Sequence, residues 1–310
     1  MKLLNLKLDY VFKRLFGHVG NETITKNLLS SILEQDITNI ELDSNPILEK
    51  DLLDDKVGIL DIKAKINNIT NVDIEMQIVD RKNIEKRILF YLSKMYTKTI
   101  KEGEDYGNLE KCIAIIFTDY ELDVAKNIPK YITRWNIREE EYRQFILTDV
   151  MEIVIIEMKK YEKYKDKSNN KRLNSWIEFI ESPEVVDMSN KEIQEAKKVL
   201  EEISEDEHEQ YLAELRQKYI MDQKAIEDAG YDKGLKAGIE QGIKQGIKQG
   251  IEQGVKQGIK QGIEQGVKQG LEQGKKKENL KIAKRMLDEK IDLTTISKIT
   301  GLSIQELKNL

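Results

Sequence analysis

Asp61, Glu75 and Gln77 are the residues of this chain whose types and spacing best suit metal-ion chemistry. They lie in two short segments, 60–66 and 72–78, in which apolar and polar residues alternate. An alternation with a period of two is typical of strands with one buried face, and the Asn-rich residues between the segments predict a turn. We therefore expect one β-hairpin with an apolar face and a polar face.

The polar face of this hairpin brings two carboxylates together. Because side-chain parity fixes the face, a register slip by an even number of residues keeps the polar set intact. Asp61 and Glu75 can bind a hard divalent cation through oxygen, and Lys63 beside them can stabilise charge on a phosphoryl oxygen. The alternative is a solvated hairpin whose opposite charges pair across the strands. The polar set is Asp61, Lys63, Lys65, Asp73, Glu75 and Gln77.

The surrounding segments predict the elements that position the hairpin. Apolar residues recur with helical spacing in three segments, and Gly17 ends the first of them. The continuous apolar run near Cys112 suits a strand buried on both faces. Together these patterns predict a mixed α/β core over residues 1–160. The expected helices are 8–16, 21–34 and 81–100; the other expected strands are 37–42, 111–118 and 153–156, with a loop at Asn45-Pro46.

The helix expected at 81–100 has two stripes of side chains. Its apolar stripe predicts packing against the sheet. Its second stripe, spaced four, three and four residues apart, either faces a phosphate backbone or forms a solvated face whose long stems shield the sheet edge. The apolar stripe is Ile84, Ile88, Leu92 and Met95, and the second is Arg87, Tyr91, Lys94 and Lys98.

The order of these elements resembles the PD-(D/E)XK nucleases and, more narrowly, the bacterial Rpn family of recombination-promoting nucleases, often labelled transposases. The resemblance begins at residues 9–17, Asp-Tyr-Val-Phe-Lys-Arg-Leu-Phe-Gly, and continues through Asp61 and Glu75-Met-Gln77 to Arg87 and Tyr91. It implies an α/β fold: a PD-(D/E)XK restriction-endonuclease-like core with a helical C-terminal extension. It also implies a metal-dependent endonuclease that cuts double-stranded DNA with Mg²⁺ or Mn²⁺, linked to recombination, element mobility or phage defence.

The resemblance also implies roles for single residues. Asp61 and Glu75 would be the metal ligands, and Gln77 would occupy the position of the superfamily's lysine. A neutral Gln77 can orient water or substrate but cannot supply a lysine's positive charge, and Lys63 on the same face could supply it. The expected catalytic residues are Asp61, Glu75, Gln77 and Lys63, and the expected DNA-binding residues are Lys13, Arg87, Tyr91 and Lys94.

Composition restricts the class of protein. A single cysteine, Cys112, excludes a disulfide framework and suits a reducing cytoplasm. No apolar run approaches the roughly 20 residues that a membrane-spanning helix needs, so we expect no membrane partner. The formal net charge of −5 and the pI of about 5.5 argue against a broadly basic surface. Any DNA contact must therefore be local.

Residues 230–274 form a strict tetrapeptide repeat. Twelve glycines fall at every fourth position from Gly230 to Gly274, in units of Gly-Ile-(Glu/Lys)-Gln. On a helix the glycines form one stripe and the apolar residues another, although each helical glycine costs about 1 kcal/mol relative to alanine. We expect helix formation coupled to self-association along this stripe, hence a homo-oligomer. The alternative is a flexible linker.

The chain as a whole divides into four expected regions. The nuclease-like core at 1–160 precedes a helical extension at 161–229, the repeat at 230–274 and a small tail at 275–310. In the tail, residues 295–310 resemble a helix-turn-helix, whose second helix is short and favours packing or assembly over base reading. Two rival functions stay open: an inactive nuclease fold that binds DNA or a partner, and an interaction scaffold based on the repeat.

Overall fold

The computed structural model describes residues 2–43, 61–80, 83–185 and 190–310. Its described residues form two compact units, 1–227 and 228–310. In the part of the chain that the structure describes, no helix is long and apolar enough to cross a membrane. The loop expected at Asn45-Pro46 lies outside the described residues, as do Leu60 and Arg81, where an expected strand and helix begin.

The first unit contains a six-stranded mixed sheet in the order β1-β2-β3-β4-β6-β5. The central strands β3, β4 and β6 run parallel, and β1, β2 and β5 pair antiparallel with their neighbours. This mixed α/β core confirms the expected fold class. The strands are β1 (Ile40–Leu42), β2 (Ile62–Ile66), β3 (Thr70–Gln77), β4 (Lys111–Thr118), β5 (Ile132–Arg138) and β6 (Ile146–Glu157). The helices are α1 (Asp9–Phe16), α2 (Glu22–Leu33), α3 (Ile84–Thr97), α4 (Tyr161–Tyr164), α5 (Lys171–Glu181), α6 (Lys191–Glu205), α7 (Glu207–Asp288), α8 (Leu293–Thr300) and α9 (Ile304–Lys308).

Strands β2 and β3 form the expected hairpin. Asn67 and Asn68 adopt positive φ angles of 49° and 62° in its turn, a conformation that asparagine tolerates better than most residues. The apolar residues of both strands lie on one face and are buried. The hairpin prediction is confirmed, and its polar residues lie on the opposite face.

The sheet is covered on both faces by apolar layers. On the polar side of the hairpin, α3 buries Ile84, Ile88 and Leu92 against residues of β4 such as Ile116. On the other face, α1, α2, α5 and α6 pack over the larger core. Helix α3 therefore lies over the sheet face that carries the candidate chemistry.

The larger core continues well past residue 160. Trp176 and Phe179 of α5 and Leu200 of α6 are fully buried in the same cluster as the hairpin's apolar residues. Residues 161–229, expected as an extension beyond the core, thus supply a large share of one face of it. Short amphipathic helices bury their apolar stripe against whatever surface is available, and here that surface is the sheet layer itself.

Helix α1 is fixed at both ends. After its last turn, a Cβ on Gly17 would lie 2.9 Å from the carbonyl oxygen of Lys13 and 3.0 Å from Cγ1 of Ile62. Glycine is therefore needed where α1 meets β2. At the helix start, Asp9 accepts hydrogen bonds from Nε and Nη2 of Arg216 at 3.1 and 2.6 Å. Arg216 lies on α7, so the start of that long helix is part of the first unit.

The second unit contains the repeat and the tail. The repeat lies within α7, and its Ile, Val and Leu side chains are exposed, from 49% at Leu235 to 62% at Ile251. In the tail, Gly301 ends α8 with a φ of 71°, and Ser303 and Glu306 form the expected capping box of α9. A small apolar cluster holds the tail helices together: Ala283, Ile296, Leu302 and Leu307.

Candidate active site

The hairpin register places the candidate residues in two facing pairs. Lys63 on β2 lies directly opposite Asp73 on β3. Asp61 immediately precedes β2, and continuing the register by one pair puts it opposite Glu75. Directly opposed residues of antiparallel strands point to the same face with Cβ atoms about 4.5–5.5 Å apart. The structure thus brings Asp61, Lys63, Asp73 and Glu75 together.

Glu75 is held by two donors. The amide Nε2 of Gln77, two residues along β3, donates to Oε1 of Glu75. Nη2 of Arg87 donates to the same oxygen at 2.9 Å. Because Ile84 and Ile88 anchor α3 on the sheet, Arg87 between them is carried to the end of β3. Three of the expected residues therefore form one hydrogen-bonded group.

The carboxylates of the site have perturbed pKa values. Burial and the neighbouring charge of Asp61 raise the pKa of Glu75 to about 7, against the opposing effects of Arg87 and the Gln77 hydrogen bond. Burial, followed by the charges of Asp61 and Glu75, raises the pKa of Asp73 well above its ordinary range. Three carboxyl groups therefore compete within one poorly solvated space, a state that an added cation would relieve.

A groove of about 840 Å³ lies between the hairpin and α3. Asp61, Lys63 and Asp73 line one side, and Tyr91 and Lys94 line the other. Three residues of the second stripe of α3, Tyr91, Lys94 and Lys98, thus face a groove that Asp61 also lines, whereas Glu75 and Arg87 are not among its lining residues. That this stripe contacts a phosphate backbone stays a prediction.

The charges along the groove nearly cancel. Lys65 is already paired with Glu110 at 2.7 Å. Five carboxylates face four lysines, so the groove as it stands offers little attraction to a phosphate backbone. A bound divalent cation would change this balance in favour of an anion. The carboxylates are Glu41, Asp43, Asp61, Asp73 and Glu110, and the lysines are Lys63, Lys65, Lys94 and Lys98.

The donor chemistry of the site fits a hard divalent cation, but the side chains do not yet converge on one. Among the described residues, no three histidine, cysteine, aspartate or glutamate side chains are arranged as a metal site. Asp61 and Glu75 nevertheless supply the oxygen ligands that Mg²⁺ and Mn²⁺ prefer. One observation fits a cation at this site: Oδ1 of Asp73 is buried and has no hydrogen-bond partner among the described residues.

The family model of the PD-(D/E)XK nuclease family transposases matches residues 6–230, well over half of the chain. The chain belongs to this family. Residues 276–310 match a second model, described as the C-terminal HTH domain of the Rpn/YhgA-like nuclease family. The resemblance to the Rpn family and to a helix-turn-helix in the tail is therefore confirmed. No curated protein and no solved structure matches the chain.

Within this PD-(D/E)XK chain, some residues of the N-terminal motif at 9–17 hold α1 in place, and one residue lies near the candidate carboxylates. Asp9 binds Arg216, and Tyr10 donates to Glu209 at 2.5 Å. Lys13 is only 5% exposed, and its charge opposes the rise in the pKa of Asp73. Lys13 therefore acts on the carboxylates from α1 and lies inside the protein, whereas the sequence analysis placed it among the DNA-binding residues.

Sequence reasoning underestimated Asp73. Its alternation with Glu75 placed it on the polar face, but its position opposite Lys63 resembled an ordinary cross-strand ion pair. The burial of Oδ1 is an effect of tertiary packing, which the alternation along one strand does not record. The signal that could have found it was the unusual density of acids in Asp73-Ile-Glu75 on a strand beside Asp61.

Proposed function

We propose that this protein is a divalent-metal-dependent endonuclease that hydrolyses phosphodiester bonds of double-stranded DNA. The observation that carries the proposal is the pairing of Asp61 and Glu75 on one hairpin face beside a groove lined by Tyr91 and Lys94. Membership of the PD-(D/E)XK family and the adjoining helix-turn-helix domain support DNA as the substrate. Mg²⁺, or Mn²⁺ in its place, is the cofactor we propose.

The mechanism divides the work among few side chains. Asp61 and Glu75 would hold the metal ion. A divalent cation held by these two carboxylates would lower the pKa of the attacking water and neutralise charge on the phosphate. Gln77 positions the water or the scissile phosphate by hydrogen bonding, since an amide is both donor and acceptor. Lys63 supplies the positive charge that Gln77 lacks and stabilises the developing phosphoryl oxyanion.

The remaining expected residues serve binding and positioning. Tyr91 and Lys94 line the groove and would contact the phosphate backbone directly. Arg87 binds Glu75 at 2.9 Å in the described structure, so it reaches a phosphate only when that carboxylate turns to the metal. Lys13 contributes through its charge near Asp73.

We also propose that the protein assembles through residues 230–274 and works in the cytoplasm. A row of exposed apolar side chains along α7 supports assembly because a second copy would bury it. The buried free thiol of Cys112 is compatible with a reducing compartment. By family resemblance, the biological setting is recombination, element mobility or phage defence.

A second candidate function is a nuclease fold that binds DNA or a partner without cutting. Its support is that Arg87 and Gln77 already occupy Oε1 of Glu75, an internal arrangement that needs no metal. The interaction scaffold remains a variant of this candidate and would depend on the repeat alone.

A plasmid-nicking assay with the full-length protein distinguishes these candidates. We expect nicking with Mg²⁺ or Mn²⁺, loss of nicking with EDTA, and loss in Asp61→Ala. DNA binding that persists without any metal-dependent cleavage would support the inactive fold instead.

A further inference from the structure

Asp73 presents an unsatisfied buried oxygen beside the two expected metal ligands. Its Oδ1 is shielded from solvent and accepts no hydrogen bond from the described residues, while the side chain lines the groove together with Asp61 and Lys63. A buried carboxylate oxygen without a partner loses its hydration without a compensating hydrogen bond, which is unfavourable. Such an oxygen requires an explanation, and an absent ion is a frequent one.

The charges around Asp73 do not remove this cost. Asp61 and Glu75 act on it as like charges, and Lys63 and Lys13 only partly oppose them. Lys63 lies directly opposite on β2, yet Oδ1 has no hydrogen bond from it. The two lysines therefore neutralise part of the cluster through space and leave the oxygen itself without a donor.

Asp73 and Glu75 project from the same face of the sheet. The two residues are separated by one inward residue of β3, Ile74, which is fully buried on the other face. Their side chains therefore leave the sheet on the same side, and Asp61 lies on that side by the hairpin register. Asp61 and Asp73 line the groove, and Glu75 leaves the sheet on the same side.

We propose that Asp73 is a third ligand of the divalent cation, binding it through Oδ1 alongside Asp61 and Glu75. The inference rests on the proposed metal-dependent function and adds a residue that the family's expected ligand pair does not include. A third carboxylate increases the negative charge available to a hard cation.

The test is direct Mn²⁺ titration of the full-length protein without DNA, followed by the electron paramagnetic resonance of free Mn²⁺. Asp73→Asn preserves shape and removes the charge. We expect it to weaken Mn²⁺ binding at least as much as the roughly 10–100-fold typical of losing a supporting group of a metal site. The control is Asp166→Asn, an exposed acid that does not line the groove, which should change the affinity less than about threefold because solvent screens the charge of an exposed carboxylate.

A second variant keeps the test decisive if Asp73→Asn folds poorly. Asp73→Cys offers a soft thiolate in place of a hard oxygen and should shift the metal preference from Mn²⁺ toward Cd²⁺. Wild-type protein, whose Cys112 is buried, is the control for Cd²⁺ binding elsewhere. A variant with no change in preference would contradict ligation by Asp73.

The outcomes separate the two proposals. If wild-type protein binds Mn²⁺ and Asp73→Asn binds it equally well, the third ligand is wrong while the metal-dependent function stands. If wild-type protein binds no Mn²⁺ and does not nick DNA, the proposed function fails and the inference fails with it.

Discussion

Nη2 of Arg87 lies 2.9 Å from Oε1 of Glu75, so an α3 guanidinium holds the carboxylate expected to bind the metal. The side chains of both residues are largely buried, with 21% and 17% exposed. A charged hydrogen bond in such surroundings is stronger than one at the surface. Arg87 is therefore a counter-ion of the metal-free site, and a bound cation must compete with it for Glu75.

Removing either expected ligand should abolish metal-dependent cleavage. Asp61→Ala and Glu75→Ala each delete an oxygen donor on the polar face, away from the apolar core, so both variants should remain folded. Plasmid nicking and circular dichroism check the two halves of this prediction. Glu102→Ala, an exposed acid after α3, is the control and should nick like the wild type. Wild-type rates in either ligand variant would contradict the assignment.

Gln77 should contribute through hydrogen bonding, and a lysine should replace it. Gln77→Ala removes an oriented group, which typically costs about 10²–10³ in rate. Gln77→Lys restores the charge found at this position in the superfamily and should retain or raise activity. Single-turnover cleavage rates measure both effects. An unchanged rate in Gln77→Ala would shift the role to Lys63 or to water.

The pH dependence should have opposite signs for metal binding and for metal-free stability. The pKa of Glu75 is raised from 4.5 to about 7 by burial and Asp61, so Mn²⁺ affinity should increase as pH rises through about 7 and the carboxyl ionises. In the metal-free protein the native state binds the extra proton between pH 4.5 and about 7. Its stability should therefore fall as pH rises across that window.

Charged and polar groups around Glu75 set this pH dependence, and a variant that cannot ionise at that position tests it. Burial and the charge of Asp61 raise the pKa of Glu75, whereas Arg87 and Gln77 lower it. The pKa of Asp73 is also raised by burial, although the charges of Lys63 and Lys13 oppose the rise. Glu75→Gln cannot ionise, so its thermal midpoint should decline less across the same pH window. Parallel curves for the variant and the wild type would count against this account.

The repeat should drive assembly through its glycine stripe. A Cβ added at any glycine from Gly230 to Gly274 meets no other atom within 4 Å in the single chain. Gly246→Ala, Gly250→Ala and Gly254→Ala should thus stabilise the helix by about 1 kcal/mol each while blocking close approach of a second helix. Light scattering should show fewer chains per assembly in this triple variant, and fewest after deletion of 230–274. An unchanged number of chains in the deletion would favour the linker.

The pair of Asp9 and Arg216 should be a major support of α1. Its side chains are only 14% and 7% exposed, and removing one partner of a buried pair typically costs about 3–5 kcal/mol. Arg216→Ala should lower the free energy of unfolding by about that amount. Arg172→Ala breaks the exposed pair with Glu192 and should cost about 0.2–1 kcal/mol. Urea denaturation compares the two, and equal losses would contradict a special role for Arg216.

Periodicity predicted the elements around the site well. The alternation in 60–66 and 72–78 identified β2 and β3, and the stripes of α3 identified both its buried face and the residues that line the groove. These features depend on local spacing, which the sequence records directly. The strand β5 was not predicted, because an edge strand with mixed exposure has no clear alternation.

Long-range contacts were the part that spacing could not predict. The packing face of α5 around Trp176 was visible, but its partner layer on the sheet was not. The bond between Arg87 and Glu75 likewise depends on how α3 crosses the sheet, and the burial of Oδ1 of Asp73 depends on tertiary packing. The alternation of side chains along a strand shows which residues share a face of the sheet. The burial of a side chain on that face depends on which distant element covers it.

The anchoring of α1 has a consequence for synthesis of the protein. Asp9 and Arg216 are 207 positions apart, and Tyr10 and Glu209 are 199 apart. During synthesis, the hairpin leaves the ribosome long before the residues that anchor α1 have been made. Helix α1 carries Lys13. We expect a prematurely terminated chain to lack an assembled cutting site. If the proposed endonuclease activity holds, incomplete chains would thereby be unable to cut DNA in the cell that makes them.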